Sequence, residues 1–249
     1  MCTVVVLYRP DHAWPVIVAA NRDEMRDRPW DAPGRHWPDR DHVIAGRDRL
    51  AGGTWLGIND DGMLACVLNR MNTLGPDPEK RSRGELPLEA LDHAEAHEAA
   101  HSMVAIDPDA YRPFNMIIAD ARGVFWLRSD GAHVSCHELG AGVSMVTAHD
   151  LNDTGGSTRI RRHLPRFRAA PAPDPDANNG AGDWFGWEAL LADGKGAPEE
   201  TMCIARDDGF GTVSSSLCAL PSLEYPHRQP IWRFAPGPPS QNRYQPIDL

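Results

Sequence analysis

The chain has 249 residues, 41% of them hydrophobic and 24% charged, which is the composition of a globular protein long enough to bury a sizeable core. A formal net charge of −10 and a pI near 5.5 argue against non-specific nucleic-acid binding, which needs cationic surface to displace counterions. No stretch approaches the roughly eighteen apolar residues of a membrane span.

Cys2-Thr3-Val4-Val5-Val6-Leu7-Tyr8 is β-branched and apolar, so it reads as a buried strand. Arg9 to Pro15 is turn chemistry, and Val16 to Ala20 returns as a second strand into the polar tetrad Asn21-Arg22-Asp23-Glu24. Folding this hairpin about residue 12 sets position 2 opposite position 22. The small Cys2 side chain lets an aminopeptidase remove Met1, so Cys2 is expected at the mature N-terminus. Its thiol and amine, with reference pKa values of about 8.5 and about 7.7–8.0, would then form a nucleophile with its own base. Asp23 suits the holding of that amine, while Asn21 or Arg22 suits an oxyanion or an acyl group. Taken alone, Cys2 reads more readily as a small buried hydrophobe. A polar tetrad ending a buried strand tips the reading toward chemistry.

Residues 25–51, rich in Arg, Asp and Pro, read as a surface excursion or lid. Gly52 to Ile58 and Met63 to Asn69 flank an Asp-Gly turn and predict a second hairpin, with Gly52-Gly53 allowing close backbone approach. A turn-rich loop, Asn72 to Pro78, follows. Ser82 and Glu85 have capping-box spacing ahead of a helical stretch, Leu86 to Val104. Arg83 at its start is placed either for capping geometry or to bind a phosphate or carboxylate. His93, His97 and His101 recur every fourth residue among Glu and Ala, the pattern of a solvated face and not of a metal site.

Strands are expected at Phe114 to Ala119, Val124 to Leu127, His133 to Glu138 and Val143 to Thr147. Ser157 to Phe167 predicts a basic helix whose arginines form either a solvated face or an anion-binding wall. Ala169 to Gly182 reads as a linker or exposed loop, Trp184 to Ala192 as a short helix, and Met202 to Leu220 as a final hairpin. The Pro-rich tail from about 221 shows no domain of its own, so residues 1–249 are expected to form a single domain. Five widely spaced cysteines (Cys2, Cys66, Cys136, Cys203, Cys218) read as reduced thiols. The apolar run after Met1 is too short for a signal core, which predicts a cytoplasmic protein. The sequon Asn152-Asp153-Thr154 is then without consequence.

Met1-Cys2-Thr3, Asn21 to Glu24, Gly52 to Ile58, Asn69 and Ser82 to Leu86 resemble, in order and spacing, the NRDE family, also called the transport and Golgi organisation protein 2 family. Phe114-Asn115 and Gly211 to Ser216 resemble its pattern less sharply. The resemblance implies an N-terminal-nucleophile (Ntn) hydrolase-like α+β fold, a four-layer αββα sandwich, and nominates Asn69 for an oxyanion hole. It also implies two functions. In one, Cys2 hydrolyses a small acyl amide or thioester with no cofactor. In the other, a non-catalytic carrier or chaperone holds haem or acyl-coenzyme A. A small-molecule ligand is the expected partner under both.

Overall fold

A computed structural model describes residues 2–75, 77–178 and 182–249. The expected processing of Met1, and parts of the loops 72–78 and 169–182, lie outside the described residues. The chain divides into two compact units, one formed by the chain up to Asp27 with Ala141–Asp248 and the other by Arg28–Gly140. Among the described residues no helix is long and apolar enough to cross a membrane.

The first unit is built on a sheet of β1 (Thr3–Tyr8), β2 (Val16–Met25), β10 (Gly142–Val146), β11 (Phe210–Leu220), β12 (Ile231–Ala235) and β13 (Gln245–Pro246), in the order β10-β1-β2-β11-β12-β13. Each neighbouring pair is antiparallel. β1 and β11 are buried at every position, as near-continuous β-branched and small residues require. The odd-numbered side chains Val5, Leu7, Ile17 and Ala19 join Leu217 in one core. There they pack with Ile160, Leu164 and Phe167 of α3 (Thr158–Ala169) and Trp187 and Leu191 of α4 (Phe185–Leu191). Strand alternation therefore sends Val4, Val6, Val18 and Ala20 to the opposite face.

The second unit is a seven-stranded antiparallel sheet running in chain order through β3 (Trp30–Gly34), β4 (Val43–Asp48), β5 (Leu56–Asn59), β6 (Leu64–Asn69), β7 (Phe114–Ala119), β8 (Val124–Ser129) and β9 (Val134–Glu138). Two helices, α1 (Glu85–Leu91) and α2 (Ala96–Val104), close a core with Val43, Ala65, Met116 and Leu127.

Four expectations are corrected. Residues 25–51 are not a loop: β3 and β4 extend the sheet, and their charges pair locally, Asp31 with Arg47 and Arg49, and Asp48 with Arg28 at 2.7 Å. The helical stretch 86–104 breaks between Leu91 and Ala96. There Asn59 Nδ2 donates to the Leu91 and His93 carbonyls at 3.0 and 2.8 Å, while Asp120 accepts the Ala96 N–H at 2.9 Å. No side-chain capping box forms, because Ser82 Oγ accepts the Gly84 N–H and Glu85 turns to Arg81 at 2.6 Å. Finally, the expected last hairpin is not formed: Met202 to Ala205 meets β11 through an isolated bridge, Ala205 to Gly211, and the strands beside and beyond β11 are β2 and, from the tail, β12 and β13.

Candidate functional site around Cys2

The β1–β2 register pairs Thr3 with Asn21, which carries Cys2 to the level of Arg22. The Cys2 sulfur is held by the backbone of Asp23: it accepts that residue's N–H at 3.4 Å and faces its carbonyl oxygen at 3.6 Å. The residue keeps some exposure while its sulfur is enclosed by protein. Burial, and after it the Asp23 carboxylate, push the thiol pKa up; the Asp23 N–H and Arg22 pull against them. Burial and the Asp23 carboxylate both act to keep the sulfur protonated.

Asp23 is itself buried, and its carboxylate is fixed from two directions. Thr212 Oγ1 donates to Oδ1 at 2.6 Å, and Arg159 Nη1 lies 3.4 Å from Oδ2. Arg159 is set in place by its helix, whose N-cap Ser157 accepts the Ile160 N–H at 3.2 Å. The same Arg159 nitrogen donates to Thr3 Oγ1 at 3.0 Å, and Nη2 donates to the Pro198 carbonyl at 3.1 Å. One guanidinium thus ties the residue after Cys2 to the carboxylate of Asp23. Thr212 reaches Asp23 at a register shift between Thr212 and Ser214, a bulge that re-aims the threonine side chain. Its hydroxyl also accepts the Ile204 N–H at 2.8 Å.

Asn21 occupies the same helical side of β2. Its Nδ2 donates to the Leu191 carbonyl at 3.0 Å and the Met202 carbonyl at 2.9 Å, and its Oδ1 accepts from Ser215 Oγ at 2.6 Å. Both amide hydrogens are given to backbone carbonyls, so Asn21 fastens the end of α4 to the sheet and has no hydrogen left for an oxyanion. Arg22, on the alternate face, is buried to within 6% of full enclosure.

The remaining sequence-nominated residues belong to the other unit. Asn69 ends β6, half-buried, in register with Phe114. Arg83 donates to Thr73 Oγ1 at 2.8 Å, to the Pro113 carbonyl at 3.0 Å and to the Thr73 carbonyl at 2.9 Å, so its guanidinium pins the 70–75 loop. Of the Gly-Gly pair, Gly53 makes a close backbone approach, although to the residue before a helix and not to a strand: a Cβ there would overlap the Gly84 backbone. His97 and His101 are exposed, their rings stacked 6.4 Å apart. Among the described residues no three His, Cys, Asp or Glu side chains gather as a metal-binding group.

Sequence reasoning placed Thr212 and Ser215 in the block that resembles the family pattern but gave them no role, left out Tyr244, and read Arg159 only as one of a basic stripe. That stripe is divided in the structure. Arg162 and Arg166 pair with Glu200 and Asp193, whereas Arg159 turns inward to Asp23. The available signal was the unbroken hydroxyl run Ser214-Ser215-Ser216 after Thr212, unusual for a strand buried throughout.

Two antiparallel sheets with four helices among the described residues, and a cysteine at the head of the first hairpin, define an Ntn-hydrolase-type α+β fold, and solved structures share it. Penicillin V acylase from Agrobacterium tumefaciens superposes with a TM-score of 0.59 at 14% identity, covering 94% of this chain and 83% of its own. The C2A variant of conjugated bile acid hydrolase from Clostridium perfringens gives 0.54 at 10% identity, covering 100% and 97%. The Caenorhabditis elegans ortholog of N-acylethanolamine-hydrolyzing acid amidase gives 0.53 at 14%, covering 87% and 92%. At these identities the likeness establishes the fold alone. Within it, the family profile described as Transport and Golgi organisation 2 matches residues 1–167, and the chain belongs to that family. It is 32% identical over 127 residues to the mouse Transport and Golgi organization 2 homolog and equally to the human homolog, over 48% of this chain. The matched region spans 45% of each relative's length.

Proposed function

We propose that the protein is an amidohydrolase or thioesterase in which Cys2, as the mature N-terminal residue, attacks the carbonyl of a small acyl amide or thioester. The observation that carries this reading is the seating of the Cys2 sulfur on the backbone N–H of Asp23, whose carboxylate is anchored by Thr212 and Arg159. Burial pushes the thiol pKa up, which favours proton transfer to a base as the sulfur attacks, and the α-amine of Cys2 serves as that base. The amine takes the thiol proton as sulfur bonds to the carbonyl carbon. Collapse of the tetrahedral intermediate breaks the C–N or C–S bond, and the proton passes to the leaving amine or thiol. Water then hydrolyses the cysteinyl thioester and releases the acid. The Asp23 N–H holds the sulfur throughout, and Arg22 is the cation beside the acyl group. That the fold neighbours named above include an acylase, a hydrolase and an amidase supports the choice of substrate class.

The test has two stages. Intact mass of the purified protein is expected to lack Met1, and turnover of N-acyl amides and acyl thioesters is expected to vanish in Cys2→Ala. Retained Met1, or full turnover in Cys2→Ala, overturns the reading. Saturable binding of acyl-coenzyme A or haem with no turnover at all would establish a carrier in its place.

A further inference from the structure

The hydrogen bonds around Asn21 run in one direction and begin in the C-terminal tail. Asn21 Nδ2 spends both hydrogens on the Leu191 and Met202 carbonyls, so Oδ1 is left to accept, and the Ser215 hydroxyl, 2.6 Å away, is its donor. The Ser215 hydrogen is directed to Asn21 Oδ1, with the Ala20 carbonyl as a second acceptor at 3.0 Å, and Ser215 Oγ then accepts from Tyr244, whose phenol oxygen lies 2.7 Å away. Burial raises the phenol's pKa, so it stays protonated. Tyr244 directly precedes β13, and that strand is held on the sheet by its pairing with β12. A second tail contact, Cys203 Sγ to Ser240 Oγ at 3.4 Å, ties the tail to the 202–204 segment whose carbonyl Asn21 holds.

We propose that Tyr244 is a positioning residue for the Cys2 site, acting through Ser215 and Asn21 to fix the end of β2 at which Asp23 receives the sulfur. The register supports the route. Ser215 sits opposite Asn21 on the neighbouring strand, and Asp23, two residues further, presents the N–H that Cys2 accepts. The Ser215 hydrogen is shared between Asn21 Oδ1 and the Ala20 carbonyl, so removing the phenol leaves the Ser215 oxygen without its donor and loosens the chain at its origin. Tyr244 and Ser215 both lie beyond residue 167, outside the segment that matches the family profile. The tail is thereby a working part of the site.

The inference takes its meaning from the proposed reaction, but its test does not need turnover. In Tyr244→Phe, hydrogen exchange at the Asp23 amide is expected to rise about five- to tenfold, the equivalent of about one hydrogen bond. The pH profile of Cys2 alkylation by iodoacetamide, followed on the Cys2 peptide by mass spectrometry, is expected to shift with it. Wild-type exchange and an unmoved alkylation profile in a folded Tyr244→Phe overturn the proposal. Should that variant not fold, Ser215→Ala removes the same chain at its middle and is read identically. Loss of amide hydrolysis in the wild type alone would sink the proposed function and leave this result standing.

Discussion

The Arg159 guanidinium lies 3.4 Å from the Asp23 carboxylate, with the two side chains 5% and 0% exposed. A pair so enclosed is costly to break from one side, because the survivor is stranded without water. Arg159→Ala is therefore expected to destabilise the fold by about 3–5 kcal/mol in urea unfolding. Arg159→Met with Asp23→Leu, which removes both charges, is expected to recover most of that loss. If Arg159→Ala leaves the midpoint within error of wild type, the pair does not hold the site.

The Asp23 carboxylate also acts on its neighbour across the hairpin. It is the second cause, after burial, of the raised Cys2 thiol pKa. Asp23→Asn keeps an oxygen for Thr212 and removes the charge, so the Cys2 pKa should fall and alkylation at a fixed neutral pH should speed up. The measurement is the pH midpoint of Cys2 alkylation in the two proteins. A midpoint that moves upward, or not at all, contradicts this electrostatic account.

The first hairpin was legible in the sequence because its register depends only on local chain length and turn position: Cys2 falls at the level of Arg22, as folding about residue 12 requires. The second hairpin and the strand at 114–119 were legible for the same reason, and the strand expected at 124–127 runs two residues further, to Ser129. Tertiary choices were not. Val43-Ile44-Ala45 is a buried strand, but it is short and sits between charged segments whose ion pairs, within the segment for Asp31 and Arg47 and far along the chain for Arg40 and Asp92, no local pattern specifies. Asn21 and Arg83 could be singled out in the sequence as polar groups at a strand or helix end, but their hydrogen-bond partners could not. The carbonyls that bind them, at Leu191, Met202 and Pro113, belong to segments whose approach no local pattern encodes. The same holds for Tyr244, more than two hundred residues from Asn21.

Gly53 faces Gly84 so closely that a Cβ has no space, and the Thr54 N–H donates to the Gly84 carbonyl at 2.8 Å across that gap. The obstruction is backbone, which cannot rotate away as a side chain would. Gly53→Ala is expected to cost about 1–3 kcal/mol or more of stability. Gly140→Ala, where a Cβ meets nothing within 4 Å, is expected to stay within about 0.5 kcal/mol of wild type. Thermal or urea unfolding of the two variants side by side checks the contrast, and equal effects would contradict it.

His163 on α3 supplies the last prediction, a pH dependence with a definite sign. The ring is fully buried, with Nε2 2.8 Å from the Glu200 carbonyl and Nδ1 3.1 Å from Arg166 Nη1. The carbonyl can only accept and the guanidinium can only donate, so the neutral tautomer with hydrogen on Nε2 satisfies both contacts. Burial, its largest cause, holds the folded-state pKa down to about 4, against about 6.5 in an unfolded chain. Between those values the unfolded chain binds a proton that the folded one refuses. Stability from this residue is therefore intact above about pH 6.5, falls as pH drops toward 4, and levels off below it. The full loss is about 3 kcal/mol. Urea unfolding from pH 7.5 to 4 should show this slope in the wild type and a shallower one in His163→Gln, which keeps a donor for the carbonyl and does not titrate. Parallel slopes in the two proteins would show that His163 is protonated equally in both states.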